Sequence, residues 1–364
     1  MKSRRHARGL TLVELLVSIS IGLVVVGALA ALYLSTARSY RQLDALGQLQ
    51  SNARHVFELI GYDIRMAGNM TCHVPGQLSP KNTVANHKNW WSYWSNEGAP
   101  NDIGQPLYGQ DETGDSNAVG DVNFPQTAPG GYGPNALRGD SLIVLRANAD
   151  DTSAGIVASY NSGSTDPIVL STGSFSAGSL LLLTDCKTTA SLFQMTGNAG
   201  GIQHSTPLAT GSSQDMAGAK LLPLSANAYY LRNSGRQYSN SSNYIPSLYR
   251  QALSTSGGLV ATDAHELVSG VSDLQILYGV DSRASPLGAI DSYMTATQIN
   301  ATDVTWWNDP KRVLAVRVTV TLESQVDNVS DEIRSFTLGN GTVITDRRLR
   351  RSYTMTFGLR QRLS

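Results

Sequence analysis

The sequence predicts an α+β chain: one long N-terminal helix packed on an antiparallel β-sheet domain with long loops. Three observations carry this expectation. Leu15 to Leu34 is a run of twenty residues without a charge, and no proline interrupts the chain from Leu10 to Ala67. Past Leu34, apolar residues recur at alternating spacings of three and four, the mark of an amphipathic helix. In the C-terminal third the period changes to two, which is that of a strand buried on one face.

Composition sets the frame. The chain has 364 residues, enough for one to three domains with a sizeable core. It is 41% hydrophobic and only 15% charged, with a formal net charge of zero. That balance excludes a strongly basic nucleic-acid binder. The charge is uneven, however: Lys2, Arg4, Arg5 and Arg8 crowd the first nine residues with no acid among them. Without that segment, 24 basic residues face 28 acids.

At a rise of about 1.5 Å per residue, Leu15–Leu34 spans about 30 Å, the thickness of a bilayer's hydrocarbon core. The basic residues before it predict a cytoplasmic N-terminus. A secretory signal peptide would have a shorter apolar run and a small-residue cleavage site after it. Here the sequence continues as helix. Glu14, at the edge of the run, is an acid in a place where an unpartnered carboxylate is costly.

A basic leader ending in Gly9, then Leu10-Thr11-Leu12-Val13-Glu14 and an apolar helix, resembles the type IV prepilin signature. The resemblance implies cleavage between Gly9 and Leu10 by a membrane peptidase, and methylation of the new amine on Leu10. It also implies that Glu14 pairs with a neighbouring subunit's amine during assembly. Leu10 stands where Phe or Met is more usual.

The stripe Leu46, Leu49, Ala53, Val56, Ile60, Ile64 and Ala67 predicts that the helix continues and packs on the domain. Gln48, Asn52, Arg54, Glu58 and Asp63 are read as its polar face, and Gly68-Asn69 as its stop. The expected organisation is a leader at 1–9, a helix at 10–67 (membrane-spanning over 15–34, amphipathic over 35–67) and a β-rich periplasmic or extracellular domain at 68–364.

Residues 70–134 read as loop. Strands are expected at Ser141–Arg146, Leu180–Thr184, Leu274–Val280, Arg312–Glu323 and around Tyr353–Leu359. The Gly/Ser/Thr-rich stretches Ser153–Ser179 and Thr196–Ser213 read as irregular loops.

ELIGYDIRMAG (58–68), LLLTDC (181–186), LYR (248–250), ELVSGVSDLQILYGVD (266–281) and the closing RRSYTMTFGLRQR resemble the PilW family of minor pilins. This implies a low-abundance subunit of a priming complex at a pilus tip. The partners implied are other minor pilins, the major pilin, the prepilin peptidase, an inner-membrane assembly platform and a PilY-type tip adhesin. The implied location is the inner membrane before assembly and the pilus afterwards. A J-type pseudopilin of type II secretion, or a surface-binding module on the pilus, are the alternatives.

The remaining chemistry is sparse. Cys72 and Cys186 lack metal-ligand spacing, and one disulfide closing a loop of over a hundred residues is the simplest reading. In the loop-entropy model it would contribute about 4–5 kcal/mol. Two free buried thiols are the alternative. Cys186 also sits where the PilW family commonly has its TDC cysteine. Asp111, Glu112, Asp115, Asn117 and Asp121 form an oxygen-rich loop whose ligand type suits Ca²⁺, but the EF-hand spacing is not met, and it reads as a solvated loop. No cofactor is expected.

Gly139-Asp140-Ser141-Leu142 spells an esterase motif, but Asp263-Ala264-His265 is one residue short of the partner it needs. Trp90, Trp91 and Trp94 cluster in one segment, read as local packing, with an exposed surface for a sugar or a partner pilin as the alternative. No catalytic constellation emerges, and a non-enzymatic role is expected.

Overall fold

The computed structural model describes residues 11–69, 81–82, 106–111, 139–148, 154–186, 190–208, 214–238, 243–256, 259–307, 309–327, 329–330, 332–339 and 341–362. A single helix, α1 (Leu12–Met66), runs unbroken for 55 residues. Its first half lies bare. Its second half buries Leu49, Ala53, Val56, Phe57, Ile60 and Ile64 against a β-domain.

The chain fills one sheet and then the other. The first ten strands form a mixed sheet: β1 (Lys81–Asn82), β2 (Leu107–Gln110), β3 (Ser141–Ala147), β4 (Gly155–Ser159), β5 (Val169–Thr172), β6 (Leu180–Thr184), β7 (Ala190–Gln194), β8 (Lys220–Gln237), β9 (Tyr244–Ser256) and β10 (Leu259–Ser269). β8 joins its two halves. The start of β8 pairs with β4 and β6, and the rest with β3 and β9. The second sheet has the order β12-β11-β13-β16, from β11 (Val271–Val280), β12 (Ser292–Met294), β13 (Val313–Glu323) and β16 (Arg350–Gly358), all antiparallel. A hairpin, β14 (Arg334–Thr337) with β15 (Val343–Asp346), bridges β13 and β16. A short helix, α2 (Ala296–Thr302), lies between β12 and β13.

β13 alternates as its sequence predicts. Val316, Val318, Val320 and Leu322 enter the main core with α1, and Arg317 and Thr319 face outward. The run Leu180–Leu183 has no such alternation because β6 is buried on both faces. Leu180 and Leu182 join the main core, while Leu181 and Leu183 join a second, smaller one with Phe193, Met195 and Ile202.

Two expectations are corrected. The segment read as loop over 70–134 contributes β1 and β2, and Ser153–Ser179 contributes β4 and β5. β8 to β10 carry no clean period-two signal. β8 reads poorly because Pro223 lies within it, and because its neighbours change along its length.

One contact fixes how close α1 lies to its sheet. A Cβ added at Gly61 would stand 2.3 Å from Phe357 Cε1. Phe57 flanks the same ring at 6.3 Å between centroids, and the Arg65 guanidinium lies 5.5 Å from its centre. Alanine ordinarily stabilises a helix by about 1 kcal/mol over glycine. Here the overlap reverses the sign: Gly61→Ala is expected to destabilise by about 1–3 kcal/mol. Shrinking the ring with Phe357→Leu should recover part of the loss, which a double-mutant cycle by thermal unfolding measures. Additive losses would show that the two residues do not set the spacing.

Candidate functional site

The first site is the N-terminal half of α1. Thr11 caps the helix, its hydroxyl accepting from the Glu14 backbone N–H at 3.3 Å. Glu14 answers with one oxygen, Oε2, which accepts from Thr11 N at 3.0 Å and from Thr11 Oγ1 at 3.1 Å. This reciprocal box satisfies backbone donors that an isolated helix start leaves open. It also holds the carboxylate at the tip of the helix, three residues from its capping partner.

From Glu14 to Leu34 none of the described domain residues covers the helix. The apolar window is wholly unburied, and Leu12 and Tyr33 are each 74% exposed. It is the one helix among the described residues long and apolar enough to cross a membrane. Its hydroxyls turn inward: Ser18 Oγ donates to Glu14 O at 2.7 Å and Ser20 Oγ to Leu16 O at 2.8 Å. A polar side chain needs such a bond in surroundings without water.

The second site is where α1 locks onto the domain. Asp63, read from the sequence as part of the polar face, is buried. Its Oδ1 accepts from Arg146 Nε on β3 at 3.2 Å. Its Oδ2 accepts from Asn227 Nδ2 at 2.5 Å and from Tyr229 Oη at 2.6 Å, both on β8. The Arg146 guanidinium lies 5.1 Å from the centre of the Tyr62 ring. Burial, and next the Asp63 charge, push the Tyr229 hydroxyl well above its ordinary pKa, so it remains a donor. No local pattern announces this knot, because Arg146 is 83 residues from Asp63 and Tyr229 is 166. α1 then ends on the same sheet: Gly68, at φ 73°, donates its N–H to Leu145 O.

The other sequence candidates sort as follows. Gly9, Leu10, Cys72, Glu112, Asp115, Asn117 and Asp121 lie outside the described residues, as do Trp90, Trp91 and Trp94. Cys186 takes φ 61°, donates its N–H to Thr184 Oγ1, and is not a free thiol. Asp111 has a local task. Its two oxygens accept from Ala296 N at 3.0 Å and Thr297 N at 2.9 Å, at the start of α2. Among the described residues no group of three His, Cys, Asp or Glu side chains is placed to hold a metal.

The esterase-like tetrapeptide is a structural joint. Asp140 N donates to Leu274 O at 2.8 Å, and Asp140 Oδ2 accepts from Ile276 N at 2.6 Å, tying β3 to β11. Ser141 is buried at the start of β3. The register runs Leu142–Tyr229–Arg250–His265 across four strands, which sets His265 about 14 Å from Leu142 at ordinary strand spacing. Ser141 and His265 therefore cannot share a proton.

Two family models match the chain. Residues 228–361 match PilW, the type IV pilus-assembly protein W, and residues 4–30 match the prokaryotic N-terminal methylation motif. The first match spans the second half of β8 through β16, including the whole four-stranded sheet on which α1 packs. No curated protein and no solved structure matches the chain.

Proposed function

The chain is a type IV minor pilin of the PilW family, and from that premise we propose that it initiates pilus assembly within a priming complex at the filament tip. The observation that carries this reading is the division of α1. One unbroken helix has a bare apolar half and a half locked to a domain. Such a helix needs apolar surroundings that its own chain does not supply: lipid before assembly, and other subunits' helices after it. The role is one of packing, without catalysis.

In the proposed sequence of events the chain enters the inner membrane with a cytoplasmic N-terminus. A prepilin peptidase cuts between Gly9 and Leu10, the Leu10 amine is methylated, and an assembly platform extracts the subunit. Glu14 begins in its capping box with Thr11. On assembly it would exchange that local bond for the ammonium of a neighbouring subunit, a pairing strong in low dielectric. Other minor pilins and the major pilin supply the neighbours, and a PilY-type protein would sit above them. Residues 68–364 form the part outside the membrane.

A deletion strain, complemented with wild type or with Glu14→Ala, tests this. The wild type is expected to restore piliation. Glu14→Ala is expected to accumulate in the membrane and restore little. Full piliation by Glu14→Ala would reject the pairing, and unchanged piliation on deletion would reject the initiating role.

We also propose that Cys72 closes a disulfide with Cys186. The expected result is faster migration of the full chain under non-reducing electrophoresis, lost in Cys72→Ser. Equal migration of the two would count against the bond.

A further inference from the structure

The described residues of the connection from β13 to β16 lie at the membrane-ward end of the domain. Two ends of α1 establish this. Near its C-terminus, Asn69 Oδ1 accepts from Gln361 Nε2 just past β16. Towards its N-terminus, Gln42 Nε2 donates to Val329 O at 3.2 Å, inside the connection. Gln42 follows Leu34, the end of the charge-free run, by eight residues, or about 12 Å of helix. The headgroup layer occupies about 5–8 Å of that gap. The underside of the domain therefore stands within a side chain's length of the headgroups when α1 spans a bilayer.

Large apolar side chains stand exposed on that underside among polar ones such as Gln325, Glu332, Arg334 and Arg347. Val326 is 64% exposed, Ile333 63% and Val343 59%. Strand alternation puts Ile333 and Val343 on one face of the β14–β15 hairpin, while Phe336 and Ile344, on the other, are half-buried. The frame that presents them is pinned. Ser330 N donates to Arg347 O, Ser324 N to Leu349 O, and Gly339 N to Asp273 Oδ2 at 2.7 Å. Arg348 pairs with Asp327 across the base. Exposure alone does not distinguish them from Leu287 at the far end of the sheet, which is 75% exposed; their level on α1, close to the end of its charge-free run, does. On α1 itself, Tyr33 and Tyr40 are exposed on either side of Leu34, the residue type that favours a membrane–water boundary.

We propose that the described residues between β13 and β16 form a foot that rests on the bilayer, with Val326, Ile333 and Val343 entering the headgroup layer of the leaflet on the domain's side. The occupant is the lipid surface around α1. The foot would fix the tilt and rotation of the waiting subunit, as interfacial anchors do. The inference rests on the membrane-anchored reading of α1.

The test uses the full chain in phosphatidylcholine–phosphatidylglycerol vesicles. An environment-sensitive fluorophore is placed by Ile333→Cys or Val343→Cys. Val25→Cys reports insertion of α1, and Leu287→Cys, in the loop after β11 at the opposite end of the sheet, serves as the aqueous control. The expected result is blue-shifted emission at 333 and 343, lost when lipids carry a quencher near the headgroup, with neither effect at 287. Emission at 333 and 343 matching that at 287, while 25 is quenched by lipid, would overturn the foot and leave the anchor standing. Absence of quenching at 25 by lipids that carry the quencher deep in their acyl chains would overturn the anchor and the foot with it. Shielding at 333 that tracks protein density, without lipid quenching, would assign the face to contacts between copies and also overturn the proposal.

Discussion

Replacing Asp63 by alanine is expected to destabilise the folded chain by about 3–5 kcal/mol. The carboxylate is the shared acceptor for Arg146, Asn227 and Tyr229, and its side chain and that of Arg146 are 6% and 11% exposed. Removing it leaves a guanidinium buried without its counter-charge, which costs far more than the pair contributes when intact. Asn227 and Tyr229 lose their acceptor at the same time. Asp63→Asn keeps the shape and an acceptor oxygen but not the charge, and should fall between. Urea unfolding of the full chain in detergent micelles measures both. A loss under about 1 kcal/mol for the alanine variant would mean that α1 is held by its apolar stripe alone. The consequence reaches beyond stability, because this knot fixes the angle between the bare half of α1 and the domain.

Arg350→Ala is expected to have an effect of similar size in the four-stranded sheet. Arg350 and Glu323 face each other in register on β16 and β13, with side chains only 3% and 4% exposed. Arg350 Nε donates to Glu323 Oε2 at 2.8 Å, and both Nη atoms donate to Asp346, at 2.6 and 2.7 Å. Tyr238 at the end of β8 donates its hydroxyl to Glu323, joining the two sheets. Without Arg350 the Glu323 carboxylate keeps only the tyrosine, and the expected cost is again about 3–5 kcal/mol. Unfolding near neutral pH should show it, and a change under about 1 kcal/mol would contradict the network.

The same network predicts an acid limb. Burial raises the Asp346 carboxyl, but hydrogen bonds from the Arg350 guanidinium and the Arg348 N–H prevail and hold it below its ordinary value. A carboxyl more acidic in the folded chain than in the unfolded one contributes stability that is complete above its unfolded value, about 3.9. That contribution is lost as pH falls through the lower folded value. Asp346→Asn should therefore reduce stability at neutral pH and flatten its decline in acid.

What the sequence makes legible follows distance along the chain. The apolar run and the stripe from Leu46 to Ala67 are local patterns, and the structure buries that stripe from Leu49 on as its period requires. β13 is legible for the same reason, since its alternation reports one buried face. Asp63 is not. A single carboxylate among Asn52, Arg54 and Glu58 looks like one more solvated residue until β3 and β8 bring Arg146, Asn227 and Tyr229 to it. Gly61 gives no signal either, because its meaning lies in Phe357, almost three hundred residues away. The long strands β8 to β10 escape because their exposure changes along their length as neighbours change.

Under the proposed role this chain is processed at Gly9 and built into a pilus through its N-terminal helix. Mass spectrometry of the N-terminal peptide, from filaments sheared off cells that express the chain, tests it most directly. The expected mature chain begins at Leu10, is one methyl group heavier than its sequence, and is present in far fewer copies than the major subunit. A chain absent from filaments and retaining Met1 in the membrane fraction, or cut beyond Leu34, would contradict it.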